Sequence, residues 1–327
     1  MGGKTRGERH MNFGKTTTPN LVYLALEQTG RDQDLTVQST LDMLRDCPLL
    51  EILLITHSGV RQDPTGDHPP VSLPHLHTIE LGEGGLCPGL TTHLQFPQSV
   101  AVGFHILSWS SMCGDVPLTV EATTQHVLRR IDIRRITLAV ASPDPCGGVW
   151  LLIRFEGLPG SLEITPCSSD NDALIRGAFF GSRGVLCSHS PHIEGVREVH
   201  IVGCFFEGDQ ESHHIRAAVP NLVSISFRCE GPHVFGLITP TNPLSPPFPH
   251  LERIMVLGSE SGLREMAKGR RDYGVPLRTL VVGRGSRRFE YEHLEDYTVL
   301  EELVGDLRIE CSTEVLEWGT ENEILNI

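Results

Sequence analysis

The chain has 327 residues, of which 39% are hydrophobic and 21% are charged, and this composition is typical of a folded globular protein and too apolar for a disordered one. The formal net charge of −14 argues against nucleic acid or an anionic membrane surface as the main partner. No stretch reaches the roughly 18 uninterrupted apolar residues that a membrane helix needs, and the opening MGGKTRGERH contains no apolar signal segment. We therefore expect a cytoplasmic or nuclear protein, and the odd number of Cys residues, nine without a C-x-x-C pair, agrees with a reducing compartment.

The N-terminal part of the sequence divides into a tail and a first helix. Residues 1–20 are polar, rich in Gly and Thr and mildly basic, which predicts a disordered tail. Further along, the spacing of Val37, Leu41 and Leu44 predicts a short amphipathic helix.

A short phrase recurs after that helix, with the pattern Pro-x-Leu-x-x-Leu/Ile-x-aliphatic in its best copies. The last apolar position of each copy falls at residue 55, 81, 138, 164, 201, 227, 256 or 282, and the steps 55–81, 138–164, 201–227 and 256–282 are each 26 residues. A degenerate copy ends at Phe104 and a weak last copy ends at Ile309. A fixed period in the twenties is typical of leucine-rich repeats, in which each unit supplies one short strand and a helical or irregular return.

Each phrase predicts one short strand, because apolar residues two positions apart lie on the same face of an extended segment. The proline ends the preceding helix and holds the chain extended at the strand entry. Between phrases, Leu263, Met266 and Ala267 predict a second helix that Gly274 caps. A further helical face is predicted around Val127, followed by a solvated basic flank. That face consists of Val127, Leu128 and Ile131, and the flank consists of Arg129, Arg130, Arg134 and Arg135.

These patterns predict an α/β fold: a leucine-rich-repeat-like solenoid of about nine or ten units, with a curved parallel sheet of short strands and helices on the outer face. The degenerate array is expected over residues 21–288, with irregular insertions in its divergent middle, 104–200. Residues 289–327 are expected to form an acidic C-terminal capping repeat, since positions 290–323 contain 12 acidic residues and one basic residue. The basic stretch 264–288 precedes it. Either neighbouring layers screen each other's charge, or the acidic patch recruits a basic partner.

The sequence contains no convincing motif for catalysis, cofactor binding or metal binding, so no such site is predicted. The stretch GSESG at 258–262 has Glu260 where a nucleophile elbow needs Ser, and GRGSRR at 283–288 lacks the third Gly of a dinucleotide loop, so both predict turns. Two His pairs lack a Cys or carboxylate at ligand spacing, so we expect no metal there. These pairs are His189 with His192 and His213 with His214. We therefore predict a protein that is not an enzyme and carries no cofactor.

Several runs of the sequence resemble one protein family. They are LRDCPLLEILLI, the LPHL and FPHLERI openings, and GVPLRTLVVGRG followed by FEYEHLEDYTVLEELVGDLRIE. They resemble the leucine-rich-repeat part of the expanded F-box proteins of mushroom-forming fungi, over roughly residues 35–327. The resemblance implies the substrate receptor of a Skp–cullin–F-box ubiquitin ligase, whose F-box grips the Skp adaptor while the repeats bind the degradation target. The Leu-Pro-x-Glu-Leu/Ile phrase of an F-box is not found before Val37, which puts adaptor binding in doubt.

Three functions are therefore kept open. The first is a non-enzymatic protein-interaction module that binds a protein ligand on the strand-lined face or the loops beside it. The second is a leucine-rich-repeat scaffold unrelated to ubiquitin transfer, or a truncated F-box gene product. The third is an α/β enzyme, against which the fixed 26-residue step argues, because a doubly wound sheet does not repeat one phrase on a fixed period.

Overall fold

The structure is a computed structural model. It describes residues 19–27, 35–56, 60, 68–82, 88–106, 124, 126–141, 149–158, 160–168, 193–203, 209–229, 232–242, 246–258, 262–284 and 294–311. The predicted tail over 1–20 lies almost entirely outside these residues, and of the predicted capping repeat the structure describes 294–311.

The strands of the described residues are β1 (Tyr23–Glu27), β2 (Ile52–Thr56), β3 (Val71–Ser72), β4 (Thr78–Gly82), β5 (Leu94–Gln95), β6 (Ala101–Ile106), β7 (Asp132–Ala141), β8 (Val149–Leu158), β9 (Ser161–Ser168), β10 (Glu198–Val202), β11 (Ser224–Cys229), β12 (Arg253–Gly258), β13 (Thr279–Arg284) and β14 (Asp306–Cys311). The helices are α1 (Val37–Arg45), α2 (Pro88–His93), α3 (Asp209–Ala218), α4 (Leu263–Asp272) and α5 (Leu294–Leu303), with a 3-10 helix over Pro232–Leu237.

Twelve of these strands form one open sheet in the order β1-β2-β4-β6-β9-β8-β7-β10-β11-β12-β13-β14, and β3 pairs with β5 separately. Neighbouring strands are parallel except at β8, which is antiparallel to both β7 and β9. The protein therefore has a mixed α/β architecture with one large, mostly parallel sheet and few described helices, which confirms the α/β class and most of the predicted parallel pairing.

The repeat phrase places two apolar rows across one face of this sheet. The strand register aligns the phrases, so that Leu53 lies opposite Ile79 and Ile55 lies opposite Leu81. The first row is Leu24, Leu53, Ile79, Val102, Leu162, Phe155, Ile136, Val199, Ile225, Ile254, Leu280 and Leu307. The second row is Leu26, Ile55, Leu81, Phe104, Ile164, Ile153, Leu138, Ile201, Phe227, Val256, Val282 and Ile309. From β1 to β13 every member of both rows is buried, so the sheet and helices share one continuous apolar core.

Two of the three helices predicted from spacing are confirmed as α1 and α4, and in the third, residues 126–128 are helical with Val127 and Leu128 buried. In α1 the buried side chains include Val37, Leu41 and Leu44, and Thr36 closes a capping box with Ser39. In α4 the buried side chains include Leu263, Met266 and Ala267. The helix α4 ends at Asp272, and Gly274 follows with φ 75°, the left-handed conformation that a C-terminal glycine adopts readily.

The middle of the sheet differs from the predicted stacking. The step from residue 138 on β7 to residue 164 on β9 was interpreted as one repeat, but β7 and β9 are not neighbours, because the antiparallel β8 lies between them. The meander β7-β8-β9 is also inserted in reverse, with β9 beside β6 and β7 beside β10. The irregular insertions expected over 104–200 therefore include a regular antiparallel meander. Residues 142–148 and 169–192 lie outside the described residues.

The basic flank predicted at 129–135 is only partly solvated. Arg129 and Arg134 are exposed, as expected. By contrast, the guanidinium of Arg130 lies 4.5 Å from the centroid of the Phe96 ring, in a cation–π contact. Arg135 points away from the core within β7 and forms ion pairs with Glu156 and Glu198 on the neighbouring strands.

Candidate interaction surface on the open face of the sheet

The described helices all pack on one face of the sheet. Buried side chains from each of them, for example Leu41, Leu90, Ile215 and Met266, join the strand rows in a single core cluster. No described helix buries a side chain on the opposite face, where the alternate strand residues point. We call this opposite side the open face.

Ionisable side chains, most of them charged, cross the centre of the open face on six adjacent strands, β4-β6-β9-β8-β7-β10. We call this row the charged ladder. It consists of Glu80, His105, Glu163, Arg154, Glu156, Arg135, Glu198 and His200. Each of these residues alternates with the buried row positions of its strand, which places all eight on the same side of the sheet.

Arg135 on β7 joins the two neighbouring strands β8 and β10. Its Nε donates to Oε2 of Glu198 at 2.7 Å, and its Nη1 donates to Oε2 of Glu156 at 3.3 Å. Partial burial alone lowers the pKa of Arg135, but hydrogen bonding and charge from Glu198 and Glu156 outweigh burial, so its pKa is raised overall. The guanidinium is therefore a fixed cation held between two carboxylates.

A second ion pair, between Arg154 on β8 and Glu163 on β9, lies beside Arg135. The Nε of Arg154 donates to Oε2 of Glu163 at 2.8 Å, and the carboxylate of Glu163 is 19% exposed. At the far end of the ladder, Nε2 of His105 lies 3.9 Å from Oε2 of Glu80, whose side chain is 41% exposed. Glu80 is thus the carboxylate of the ladder with the weakest cationic partner in the described contacts.

His200 on β10 lies at the other end of the ladder. Its pKa is lowered, first by burial and then by the positive charge of Arg135, while Glu198 and Glu156 oppose the shift. The imidazole is therefore neutral at neutral pH. The ladder holds four carboxylates against two guanidinium groups, so the carboxylates outnumber the guanidinium groups by two.

Apolar side chains border the ladder on the side of β1. Towards β1, the half-buried Ile52 and Leu54 and the exposed Tyr23 lie on the open face. On the other side the ladder is followed by Ser226 and Arg228 on β11, and the cluster of Met255 and Val281 beyond them is buried. A charged area beside an apolar one is a common composition of protein-binding surfaces, where apolar area supplies affinity and charge supplies orientation.

The cavity between β7, β10 and α3 is too small to hold a substrate. It measures about 10 Å³ and is lined only by apolar side chains, Ile136, Leu138, Val199, Ile215, Ala218 and Val219. Such a volume holds one water at most.

The sequence motifs that could have indicated a catalytic or metal site lie largely outside the described residues. The structure describes neither His189 and His192 nor the side chain of His214, while His213 is exposed on α3. Most residues of GSESG and GRGSRR also fall outside. Within the described part of the chain, no group of three or more His, Cys, Asp or Glu side chains is placed to hold a metal ion.

The charged ladder was missed by sequence analysis. Arg135 was interpreted as part of a solvated flank, and Glu198 and Glu163 were not singled out. The available signal was a charged residue directly before or between the two apolar positions of a repeat phrase, as in Glu198-Val199 and Leu162-Glu163-Ile164. Opposite charges on different phrases can be recognised as partners only when the strand order is known, because 63 positions separate Arg135 from Glu198 in the sequence.

No known protein family matches this chain, and no curated protein matches it significantly. Among the described helices, none has both the length and the apolar character needed to cross a bilayer.

Proposed function

We propose that this chain is a non-enzymatic protein-interaction module, built as a leucine-rich-repeat-like solenoid, whose protein ligand binds on the open face of the sheet. The observation that carries the proposal is the charged ladder. Its side chains are held by cross-strand ion pairs, for example Arg135 with Glu198 at 2.6 Å and Arg154 with Glu163 at 2.7 Å. Charges that are fixed before binding cost less conformational entropy when a partner arrives.

The repeat phrase supports the solenoid part of the proposal. Steps of 26 residues along the sequence correspond to neighbouring parallel strands in β2-β4, β10-β11 and β12-β13. In a solenoid, neighbouring repeats share one core, and the strand-lined face is the usual binding surface. The antiparallel β8 is a departure from this pattern, and it brings Arg154 and Glu156 into the middle of the face.

The biological role that we propose is substrate recognition of the kind found in F-box receptors of Skp–cullin–F-box ubiquitin ligases. This part of the proposal rests on the resemblance of residues 35–327 to the repeat region of such proteins. In this role the open face would bind the degradation target, and a separate helical module would bind the Skp adaptor.

A capture experiment with matched blocking variants tests both parts. The full chain is used as bait in a fungal extract, beside Ala101→Trp, which adds bulk to an exposed position of the open face on β6, and Glu265→Trp, which adds the same bulk to the exposed side of α4. We expect proteins that the wild-type chain and Glu265→Trp both capture and that Ala101→Trp loses. If every captured protein binds both variants equally, the open face is not the binding surface and the proposal fails.

Blotting the same captures for the Skp adaptor and cullin separates the two roles. Recovery of both supports a ubiquitin ligase receptor. Their absence, together with partners that depend on the open face, restricts the function to binding alone and contradicts the receptor role.

A further inference from the structure

We infer that the partner segment bound by the charged ladder is basic, an extended stretch that carries Lys or Arg side chains. The inference rests on the proposed function, because it names the chemistry of the ligand for the same face. It follows from which atoms of the ladder are already engaged and which can still bind a partner.

The two cations of the ladder are already engaged. Arg135 is held by two carboxylates, on β10 and β8, and Arg154 is held by Glu163. An acidic partner would have to compete with these contacts at 2.7 to 3.3 Å. Approach of a negative segment would also bring it close to four carboxylates, which is a like-charge juxtaposition.

The carboxylates, in contrast, keep acceptor capacity. The hydrogen bonds from Arg135 and Arg154 all engage Oε2 of Glu198, Glu156 and Glu163. An ionised carboxylate has two oxygens with about four acceptor sites, so Oε1 of each residue can accept from a partner. Glu80 adds a carboxylate that contacts only His105 at 3.9 Å in the described part of the chain.

The groups next to the ladder carboxylates also favour a positively charged partner. His200 contributes no positive charge at neutral pH, because burial and Arg135 lower its pKa. Beyond the ladder towards β14, the described open-face residues include two further cations, Arg228 on β11 and Arg253 on β12. The negative region is therefore bounded along the sheet, by apolar residues towards β1 and by arginines towards β14. This boundary fixes where a basic side chain of the partner binds.

The test uses three fluorescein-labelled synthetic peptides of equal length, alternating Thr with Lys, with Glu or with Ser. Binding to the folded full chain is followed by fluorescence anisotropy at low and at physiological salt. We expect the Lys peptide to bind more tightly than the other two, and its affinity to fall as salt is raised, because exposed charges are screened.

Two variants with the same change in net charge separate the ladder from the general acidity of the chain. Glu80→Lys reverses a charge in the ladder, and Glu265→Lys reverses one on the exposed side of α4. We expect Glu80→Lys to weaken Lys-peptide binding at least about threefold and Glu265→Lys to leave it close to wild type. Equal effects of the two variants, or equal binding of the Lys and Glu peptides, would overturn the inference.

Failure of the inference about a basic partner can be distinguished from failure of the proposed function. If Ala101→Trp displaces captured partners while the Lys peptide shows no preference, the open face is a binding surface and only the sign of its partner is wrong. If Ala101→Trp displaces no partner, the binding surface itself is wrong, and the inference about its partner falls with it.

Discussion

Arg270 on α4 donates through Nη2 to the carbonyl oxygen of Phe248 at 3.1 Å, and Phe248 has a positive φ of 48°. The guanidinium is fully buried and also donates to the carbonyl oxygens of Ile238 and Pro247 at 3.2 and 3.1 Å. Burial lowers the pKa of Arg270 to about 10, so it stays charged at neutral pH. A single buried cation thus holds the end of the 3-10 helix and the turn before β12 against α4.

Removal of this cation is expected to destabilise the fold. Arg270→Met keeps most of the side-chain volume but leaves several buried carbonyl oxygens without a donor, so we expect a loss of about 3 kcal/mol in the free energy of unfolding. Denaturant unfolding followed by circular dichroism measures it. Lys268→Met, at an exposed position of the same helix, is the control and should change stability by less than about 0.5 kcal/mol. Equal stability of the two variants would contradict the role assigned to Arg270.

The junction between β6 and the inserted meander depends on Gly160. A Cβ at this position would lie 2.3 Å from the carbonyl oxygen of Gln98 and 3.0 Å from that of Val100. Gly160→Ala therefore forces β9 away from the entry of β6, and we expect it to destabilise the protein by about 2 kcal/mol. The matched control is Gly236→Ala, where an added Cβ meets no atom within 4 Å. If β9 did not pair with β6, thermal denaturation would show no difference between the two variants.

Because the repeats share one core, a charge placed at a buried Leu of the repeat phrase is expected to lower the stability of the whole protein strongly. Leu251 is 2% exposed and Leu222 is fully buried, so Leu251→Asp or Leu222→Asp places a carboxylate among apolar side chains. We expect a loss of more than about 4 kcal/mol and failure to fold at ordinary temperature. The control is Arg253→Asp, which changes an exposed side chain of the open face two residues after Leu251. This variant should fold normally, and circular dichroism distinguishes a folded from an unfolded protein. A well-folded Leu251→Asp protein would contradict the continuous core.

Acidification is expected to weaken the fold through His200. The pKa of His200 is lowered in the native protein, so as the pH falls below about 6.5 the unfolded chain binds a proton that the native chain does not bind. Stability therefore falls with falling pH. His200→Gln removes this contribution, so the variant should gain stability relative to wild type as the pH is lowered from neutral.

Chemical denaturation at several pH values measures the difference. The control is Thr137→Val, at the position paired with His200 on β7, which removes no titratable group. Parallel pH curves for wild type and His200→Gln would show that His200 is not held neutral by its surroundings.

Local spacing in the sequence predicted most of the strands because the two apolar positions of each phrase are set by the alternation of a strand. Leu53 with Ile55 and Ile225 with Phe227 are examples, and both pairs are buried as expected. The helices α1 and α4 were predicted for the same reason, since Val37, Leu41 and Leu44 lie on one face of α1. These features depend on neighbours within a few residues.

The order of the central strands could not be predicted in this way. Pairing of β9 with β6 and of β7 with β10 joins segments that are far apart in the chain, and β8 carries no repeat phrase that would reveal its place. The ion pair between Arg135 and Glu198 depends on that order. Arg270 was likewise hidden in a basic run, because its burial depends on carbonyl groups about 20 to 30 residues away.

The most direct test of the central claim is site-specific photo-crosslinking of the chain to the partners that it captures. A photoreactive amino acid is placed at Ala101 on the open face, or at Lys268 on the exposed side of α4. We expect crosslinks to the partner from position 101 and none from position 268. Crosslinks from position 268 alone would show that the partner binds the helical side and would contradict the assignment of the open face as the binding surface.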